Sequence, residues 1–451
     1  MPKPYPAYRD SRVPWLGDVP EHWATLPDRA LFAEMKEREH PEEQMLSVTI
    51  TRGVIRQRTL LESSSKKDSS KQDKSAYKLV CPCDIVYNKM RAWQGAIGVS
   101  DFRGIVSPAY VVMRLREANH PRYFHYLFRT PQFAKEAERW SYGITSDMWS
   151  LRPEHFKMIY SSLPSLPEQS AIVRYIDHQD RRMRRYIRAK QKLIKLLKEQ
   201  KQAIIHRTVT RGLDPNVRLK PSGVEWLGDV PEHWQVVRLR HVLRVQSGDM
   251  IQAQEERPTG YPIYGGNGIR GYTDKWNTKG PIILLGRVGA KCGCVHLVNG
   301  DFWASEHALR VILLRPINLK FLSLVLQTAD LNRLAIRTAQ PLINSTIVRS
   351  LSAVIPPDDE QSAIVEYIAA KTESLYKGCF IAQHEIDLFR EYCNRLISDV
   401  VTGKLDVREV AARLPDEAEE PEPLDDVEPT VAGDEESEGA DLDAAPEEAE
   451  T

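Results

Sequence analysis

The chain has 451 residues, which exceeds the usual size of one core and favours two or more domains. No basic-then-apolar signal segment opens the sequence, and the strongly apolar runs, such as residues 282–285, are too short to span a membrane, so we expect a soluble cytoplasmic protein. Its 62 basic and 62 acidic side chains cancel, but residues 414–451 hold 17 Asp or Glu and no Lys or Arg, which leaves residues 1–413 with a net charge of +17 (62 − 45).

Two duplications organise the chain. The nine residues W-L-G-D-V-P-E-H-W occur at 15–23 and again at 226–234, an offset of 211 (226 − 15). The residues E-Q-S-A-I-V occur at 168–173 and again at 360–365, an offset of 192 (360 − 168). The unequal offsets predict one frame built twice around inserts of different length.

Each insert mixes short apolar, β-branched runs with Gly-rich turns and helical stretches, which predicts an α/β or α+β domain. Residues 63–75 are rich in Ser, Lys and Asp, and we expect a mobile surface loop there. The predicted strands lie within 77–87, 106–113, 281–285 and 309–314, and the predicted helical stretches lie near 121–138 and 316–335.

A 4-3 apolar spacing runs without an internal proline through residues 168–210 and through their twin, 360–402. Such a pattern predicts two long helices of about 60 Å that pair along a seam. The first stretch holds 12 basic and four acidic side chains and the second holds four and seven, so the charges favour pairing of the two with each other. The predicted seam positions are Ile172, Ile176, Gln179, Met183, Tyr186, Lys190, Leu193, Leu197, Gln200 and Ile204, with twins at Ile364, Ile368, Lys371, Leu375, Gly378, Ala382, Glu385, Phe389, Tyr392 and Leu396.

The acidic end of the chain has almost no large apolar residues, which predicts a disordered tail. The simplest role is a solvated tail, and a competing hypothesis is that it displaces a polyanion from the basic body. The predicted fold class is α+β, with two pseudo-repeated α/β domains separated by two long antiparallel coiled-coil helices. The predicted bounds are 1–165 and 212–357 for the domains, 166–211 and 358–408 for the helices, and 409–451 for the tail.

Motifs that would carry chemistry do not fit their usual context. The pairs Cys81/Cys83 and Cys292/Cys294 are C-x-C within strand-like runs, whereas zinc sites use C-x2–4-C, so we expect ordinary buried thiols and no metal. The G-x-G-x-x-G at 266–271 precedes a poor helix start and has no acidic residue about 20 positions on, which disfavours a dinucleotide site. Because no phosphate-binding loop, amino-methyltransferase box, nuclease carboxylate set or HExxH is present either, we predict no catalytic residue.

The inserts do interleave cations, amides and aromatic side chains on turns. Arg can bind guanine, Asn and Gln can bind adenine, and Lys can hold phosphate, so these clusters predict contacts to DNA, with surface solvation or core packing as the alternative for each residue. The candidates are Asn88, Lys89, Arg91, Trp93, Gln94, Arg139 and Tyr142 in the first insert, and Asn267, Arg270, Tyr272, Arg287, Lys291, Gln340 and Asn344 in the second.

The duplicated W-L-G-D-V-P-E-H-W, the P-x-x-E-Q-x-x-I at the start of a long helix, the Tyr-Gly-Gly-Asn-Gly turn at 264–268, and the order insert, helix, insert, helix together resemble the specificity (S) subunit of type I restriction-modification systems. The resemblance covers about residues 8–408. It implies two target-recognition domains that each bind one half of a split sequence in double-stranded DNA. It also implies that the paired helices set the gap and bind two methyltransferase (M) subunits.

The resemblance further implies that this chain is non-catalytic and holds no cofactor. Partner M subunits would bring S-adenosylmethionine and methylate adenine N6, and restriction (R) subunits would add ATP- and Mg-dependent translocation and cleavage. The alternative function is a coiled-coil adaptor that binds proteins without DNA readout. Since Trp15, Trp23, Trp226 and Trp234 are identical in the two copies, we expect them to pack the scaffold.

Overall fold

The computed structural model describes residues 2–63, 73–143, 149–337 and 341–415. It divides into two compact units, Met1–Ala189 with Glu385–Thr451 (unit 1) and Lys190–His384 (unit 2). Most of the predicted loop at 63–75, and the acidic tail from residue 416, lie outside the described residues. Within the described ranges, no helix is long and apolar enough to cross a membrane.

Unit 1 holds the first mixed domain. Its strands are β1 (Tyr8–Asp10), β2 (Asp18–Pro20), β3 (Ala24–Pro27), β4 (Phe32–Met35), β5 (Leu46–Thr49), β6 (Gly53–Arg56), β7 (Lys78–Val80), β8 (Ile85–Asn88), β9 (Ile97–Val99), β10 (Gly104–Val106), β11 (Tyr110–Leu115) and β12 (Tyr160–Leu163). Its helices are α1 (Asp28–Leu31), α2 (Gln57–Ser63), α3 (Pro121–Phe128), α4 (Pro131–Arg139) and α5 (Pro153–Phe156). The long helix α6 (Leu166–Arg211) begins in unit 1 and ends in unit 2.

Unit 2 holds the second mixed domain. Its strands are β13 (Leu219–Pro221), β14 (Asp229–Pro231), β15 (Gln235–Arg238), β16 (Leu243–Ser247), β17 (Glu256–Arg257), β18 (Tyr261–Gly265), β19 (Gly268–Thr273), β20 (Thr278–Lys279), β21 (Ile282–Gly286), β22 (Val295–Val298), β23 (Asp301–Ala304), β24 (Ala308–Leu313) and β25 (Ser352–Ile355). Its helices are α7 (Leu319–Thr328) and α8 (Ser345–Ser350). The long helix α9 (Asp358–Val401) begins in unit 2 and ends in unit 1, where α10 (Arg408–Ala412) follows.

The strand order shows one frame built twice. The antiparallel sheet β4-β11-β8-β9 of unit 1 has its counterpart in β16-β24-β21-β22 of unit 2. The pairs β1-β2 and β3-β12 likewise correspond to β13-β14 and β15-β25. Outside this frame the units differ, because unit 1 adds the pairs β5-β6 and β7-β10 whereas unit 2 adds a five-stranded sheet, β17-β19-β18-β23-β20. The two inserts therefore differ in the strands that lie outside the shared frame.

Each unit has its own core, which includes parts of both long helices. In unit 1 the apolar face of the four-stranded sheet packs on α3 through Phe32, Phe124 and Phe128, and Ile172 and Val400 from the long helices join the same core. In unit 2 the corresponding core contains Leu285, Val311 and Phe321, together with Val209 and Ile364. Burial of these apolar side chains fixes each domain to the helix ends beside it.

The two long helices begin and end where the sequence favours it. Pro167 lies in the first turn of α6, where its missing N–H costs nothing, and the first turn of α9 is acidic, which suits the positive end of the helix dipole. Gly212 and Gly403 follow the helix ends with φ of +74° and +82°, a left-handed conformation that glycine adopts readily. With 46 and 44 residues, α6 and α9 are about 69 and 66 Å long.

Contacts within each unit show that the helices run antiparallel. In unit 1 the rings of Tyr186 and Phe389 lie 4.4 Å apart, and the Tyr186 hydroxyl donates to Glu385 Oε2 at 3.2 Å. In unit 2, Lys201 Nζ donates to the Tyr376 hydroxyl at 3.2 Å, so a later position on α6 meets an earlier position on α9. The predicted fold class, two α/β domains with two long antiparallel helices, is confirmed.

The seam follows the predicted spacing at first and then shifts by one residue. Ile172, Ile176 and Met183 are buried as expected, but Leu193 is 41% exposed whereas Ile194 is 9% exposed. An α-helix drifts by about 20° per heptad against a 3.5-residue repeat, so after three heptads the neighbouring position faces the seam.

Three other local predictions were wrong. Cys81 and Cys83, and likewise Cys292 and Cys294, lie between strands rather than within them, because the chain reverses there. Of these four thiols only that of Cys292 is buried, and Cys83 is exposed, so the prediction of buried thiols was also wrong for the other three. The predicted tail at 409–451 also begins too early, since Arg408–Ala412 is helical and Ala411 is buried in the core of unit 1. Val407 and Ala411 supply the buried apolar surface of this short helix.

Candidate nucleic-acid interface

The two duplicated motifs bind each other in each unit. His22 of the first W-L-G-D-V-P-E-H-W lies 3.0 Å from Glu168 Oε2 at the start of α6, and His233 of the second lies 2.7 Å from Glu360 Oε1 at the start of α9. Trp23 and Trp234 are buried, and Trp15 and Trp226 pack half-buried against the two cores. The predicted scaffold role of these four tryptophans agrees with this packing.

The first set of candidate residues lies on the connection between β8 and β9. We call residues 89–95 of this connection the first loop. Asn88 shapes its start, because its Oδ1 accepts a hydrogen bond from the Met90 N–H at 3.0 Å. Trp93 is half-buried: its Nε1 donates to the Met90 carbonyl at 2.9 Å, and its ring lies 5.6 Å from that of Trp149. Trp93 therefore fits the core-packing alternative that the sequence left open for each candidate.

Lys89, Arg91 and Gln94 complete the first loop. The Lys89 carbonyl accepts a hydrogen bond from the Leu151 N–H at 2.9 Å, which holds the segment after residue 148 against the loop. Arg91 Nη1 lies 3.4 Å from Gln94 Oε1, and Gln94 is exposed. Cationic and amide groups are thus placed side by side at an open edge of unit 1.

Arg139 is the last residue of α4, and Tyr142 lies on the connection that follows it. Tyr142 pairs with Ser150 in an isolated β-bridge next to Leu151, and its side chain is 63% exposed. Arg139, at the end of α4, is exposed and lies 3.7 Å from Glu136 Oε2. The structure therefore brings Tyr142 near the first loop, while Arg139 is engaged by a carboxylate of its own helix.

The second set lies on the connection between β21 and β22. We call residues 287–293 of this connection the second loop. Arg287 opens it, and its Nη1 donates to Ser247 Oγ at 3.1 Å and to the Glu306 carbonyl at 3.3 Å. The Arg287 carbonyl accepts a hydrogen bond from the Ile343 N–H at 2.8 Å. Lys291, near the middle of the loop, is exposed.

The β18-β19 hairpin lies against the second loop. Its turn is held by the Cys294 thiol, which donates to the Gly266 carbonyl at 2.9 Å. Gly286 makes this approach possible, because a Cβ there would lie 2.0 Å from the Gly266 carbonyl oxygen. Asn267 is exposed at the tip of the turn. The G-x-G-x-x-G sequence is thus a hairpin with no helix after it, in line with the exclusion of a dinucleotide site.

The remaining candidates of unit 2 lie outside the second loop and the hairpin turn. Arg270 lies 3.5 Å from Glu256 Oε1, and Tyr272 is exposed on β19. Asn344 caps α8, because its Oδ1 accepts a hydrogen bond from the Ile347 N–H at 2.9 Å. Helix capping accounts for that amide without DNA, and Gln340 lies outside the described residues.

Burial perturbs several titratable groups near the loops. Desolvation lowers the pKa of the buried Lys78 to about 8, aided by the nearby charge of Lys89, and Lys78 Nζ donates to the Tyr110 carbonyl at 2.7 Å. Burial also raises the pKa of the Cys292 and Cys294 thiols, which disfavours the thiolate form that binds metals. No group of three or more metal-binding side chains occurs in the part of the chain that the structure describes.

Sequence reasoning missed two residues that hold the loops. Arg129 in unit 1 and Asn332 in unit 2 each follow the first helix after the four-stranded sheet and donate hydrogen bonds to loop carbonyls. A single Arg or Asn after an apolar helix carries no motif, so nothing in the sequence distinguishes these two from ordinary surface residues.

Each unit thus carries one cluster of candidate loops on the duplicated frame. Part of the chain is similar to a known family of proteins. Residues 231–376 match the family model described as the type I restriction modification DNA specificity domain. That match covers the second domain and the start of α9.

Curated relatives and a solved structure agree with the family model. The chain is 32% identical over 144 residues to the type I restriction enzyme EcoprrI specificity subunit of Escherichia coli, covering 31% of this chain and 36% of that protein. It is 24% identical over 281 residues to the MjaVIII specificity subunit of Methanocaldococcus jannaschii, covering 56% of this chain and 64% of that protein. The matched regions thus span less than two thirds of either relative.

A chain from a solved type I R-M system, in a structure concerned with complex assembly and conformational transition, shares this fold with a TM-score of 0.61. The two are 15% identical, and the match covers 86% of this chain and 99% of the other. The resemblance to type I restriction-modification specificity subunits is therefore confirmed. Over residues 231–376 the chain is similar to a DNA specificity domain.

Proposed function

We propose that this chain is the specificity subunit of a type I restriction-modification complex and that its two domains bind the two halves of a split DNA sequence. The observation that carries the proposal is the duplicated frame, which presents two loop clusters with unlike side chains. A body with a net charge of +17 supplies attraction to phosphate that does not depend on sequence. The unlike clusters then supply the readout of two unlike half-sites.

The chemistry belongs to partner subunits in this proposal. Two M subunits bind the paired helices and bring S-adenosylmethionine for transfer of a methyl group to adenine N6, and R subunits add ATP- and Mg-dependent cleavage. The complex works in the cytoplasm, where the DNA is. Purified chain alone is expected to transfer no methyl group, and methyl transfer by the chain without an M subunit would contradict this division.

Sequencing that detects modified adenines tests the proposal directly. The chain is expressed with its M subunit in a host that lacks adenine methylation, and the modified positions are compared with those in cells that express M alone. We expect one asymmetric sequence in two parts separated by a fixed gap. The adaptor alternative instead predicts no sequence-dependent methylation and no DNA binding even with M present.

The gap is proposed to follow the length of the paired helices. Tyr186 with Phe389 and Lys201 with Tyr376 fix the register, so a matched deletion of 190–196 from α6 and 378–384 from α9 removes one heptad from each while keeping those pairs. The rods shorten by about 10 Å. At about 3.4 Å per base pair, the gap should shrink by roughly 3 base pairs. An unchanged gap in an assembled, active complex would contradict the ruler proposal.

A further inference from the structure

The first and second loops occupy the same place in the two repeats. Each comprises the first seven residues of the eight-residue connection between the third and fourth strands, in sheet order, of its four-stranded sheet. Their ends correspond at one offset of 198 (287 − 89), which neither duplicated motif shows. The Asn88 N–H donates to the Ala96 carbonyl at 3.0 Å, and the Gly286 N–H donates to the Cys294 carbonyl at 2.9 Å.

The loops are also tied in the same way to the segment that precedes the long helix. The first residue of each loop accepts a hydrogen bond through its carbonyl, Lys89 from Leu151 and Arg287 from Ile343. The donors are 192 residues apart (343 − 151), the same offset as the long helices. The loops therefore belong to the repeated frame at both ends, although only two of their seven corresponding positions are identical, Ala92 with Ala290 and Gly95 with Gly293.

In each unit, one side chain donates hydrogen bonds to the main chain of the loop. Arg129 is half-buried, and it donates to the carbonyls of Gly95 and Ile97 at 3.2 and 2.9 Å. Its other amino group donates to the carbonyls of Ile50 and Thr51, both at 2.8 Å, so the guanidinium ties the first loop to the β5-β6 hairpin. Four carbonyl acceptors satisfy the cation in place of a carboxylate.

Asn332 has the same task in unit 2. Its Nδ2 donates to the carbonyls of Ala290 and Cys292 at 3.0 and 2.9 Å. Arg129 directly follows α3, and Asn332 lies four residues after α7, its counterpart. Arg129 binds main-chain carbonyls, and Asn332 binds two main-chain carbonyls and also lies 3.5 Å from Cys292 Sγ. Both residues therefore fix where each loop lies mainly through its main chain.

The inner paths of the loops differ. Arg91 has φ of −129°, whereas Gly289, at the corresponding position, has φ of +93°. As a result the exposed polar side chain is Gln94 in the first loop and Lys291 in the second, and these are not corresponding positions. Equivalent mounting with different side chains is what two unlike half-sites require.

We infer that the first and second loops are the specificity-determining elements of the two half-sites, with Gln94 and Lys291 as base-contacting residues and Arg129 and Asn332 as positioning residues. This inference rests on the proposed function. It assigns the recognition of each half-site to seven residues of the corresponding domain.

The test uses the complex of the full chain with its M subunit and a randomised DNA library, scored by sequencing the methylated molecules. Gln94→Ala is expected to relax base preference in one half-site only, and Lys291→Ala in the other only, each by roughly 5- to 100-fold at the affected position. Each variant is the control for the other. Lys320→Ala, an exposed lysine of α7 in the same unit, is the charge-matched control and should leave both half-sites unchanged.

Asn332→Ala tests positioning. It should broaden the same half-site as Lys291→Ala while leaving the other half-site and the gap unchanged, a pattern that a general loss of stability would not give. If that variant fails to assemble, the exposed Gln94 and Lys291 variants still decide. Uniform weakening across all sequences, or no change in either half-site, would overturn the inference. A wild-type complex that methylates no two-part sequence would instead overturn the proposed function.

Discussion

Trp23 and Trp234 occupy the same position in identical motifs, yet their indole N–H groups have different surroundings. Both side chains are 1% exposed. Trp234 Nε1 donates to Glu360 Oε2 at 2.9 Å, whereas Trp23 Nε1 is buried with no hydrogen-bond partner among the described residues. Replacement by Phe removes a similar volume at both sites, so the difference between Trp23→Phe and Trp234→Phe isolates the role of the indole N–H.

The expected difference follows from that hydrogen bond. A bond to a charged group contributes about 1.5–3 kcal/mol, but the Glu360 side chain is 36% exposed and also binds His233, so about 1 kcal/mol is a fair value here. Removing the unpaired donor of Trp23 relieves a desolvation cost that offsets part of the lost packing. We therefore expect Trp234→Phe to destabilise the chain by about 1–2 kcal/mol more than Trp23→Phe.

Calorimetry of the full chain measures this difference, and hydrogen exchange at residues 15–27 and 226–238 assigns each transition to its unit. For a unit of this size, 1 kcal/mol corresponds to a melting shift of roughly 2–4 °C. A double-mutant cycle with Glu360→Gln should show coupling to Trp234→Phe and none to Trp23→Phe. Equal destabilisation by the two Trp→Phe changes would refute the reasoning.

Three further predictions concern the frame and its charges. Gly403→Ala should lower the melting temperature more than Gly223→Ala, because both have positive φ but only at Gly403 would the new Cβ meet Pro20 Cδ, at 2.3 Å; similar losses would contradict this. Lys78 has its pKa lowered from 10.5 to about 8, so the unfolded chain binds more protons between these values and the stability of the wild type should rise relative to Lys78→Met from pH 8 to 10.5; urea unfolding at pH 7.5 and 10 checks this, and a constant difference would count against it. Deletion of residues 416–451 should strengthen DNA binding and steepen its salt dependence if the acidic tail competes with DNA, and an unchanged affinity and salt slope would leave the tail as a solvated extension.

The long helices could be predicted because their signal is local and repeated. An unbroken apolar spacing, a proline at the start and a glycine at the end each act within a few residues. The one-residue shift of the seam at Leu193 and Ile194 was not predictable from a fixed 3.5-residue repeat, because it accumulates from the geometry of a helix with 3.6 residues per turn.

The candidate site was predictable only in part. Composition placed cations and amides on the loops, and Gln94, Asn267 and Lys291 are indeed exposed there. The packing of Trp93 depends on Trp149, a partner that only the fold brings near, whereas Asn344 caps a helix through a residue only three positions on. Arg129 was missed for the same reason, since its four acceptors lie 32 to 79 residues away in the chain.

The residues at the start of each long helix explain how one frame can hold two different domains. Glu168 and Glu360 bind the histidine of the nine-residue motif, while the next residue, Gln169 or Gln361, accepts a hydrogen bond from the main chain at the start of α3 or α7. Two adjacent side chains thus fix motif, domain and long helix together. A change in either of these two side chains would affect the position of the domain. A change of an exposed side chain such as Gln94 or Lys291, in a loop that is held through its main chain, would leave these contacts of the frame in place. A new half-site preference can therefore arise by substitution within a loop, without any compensating change in the frame.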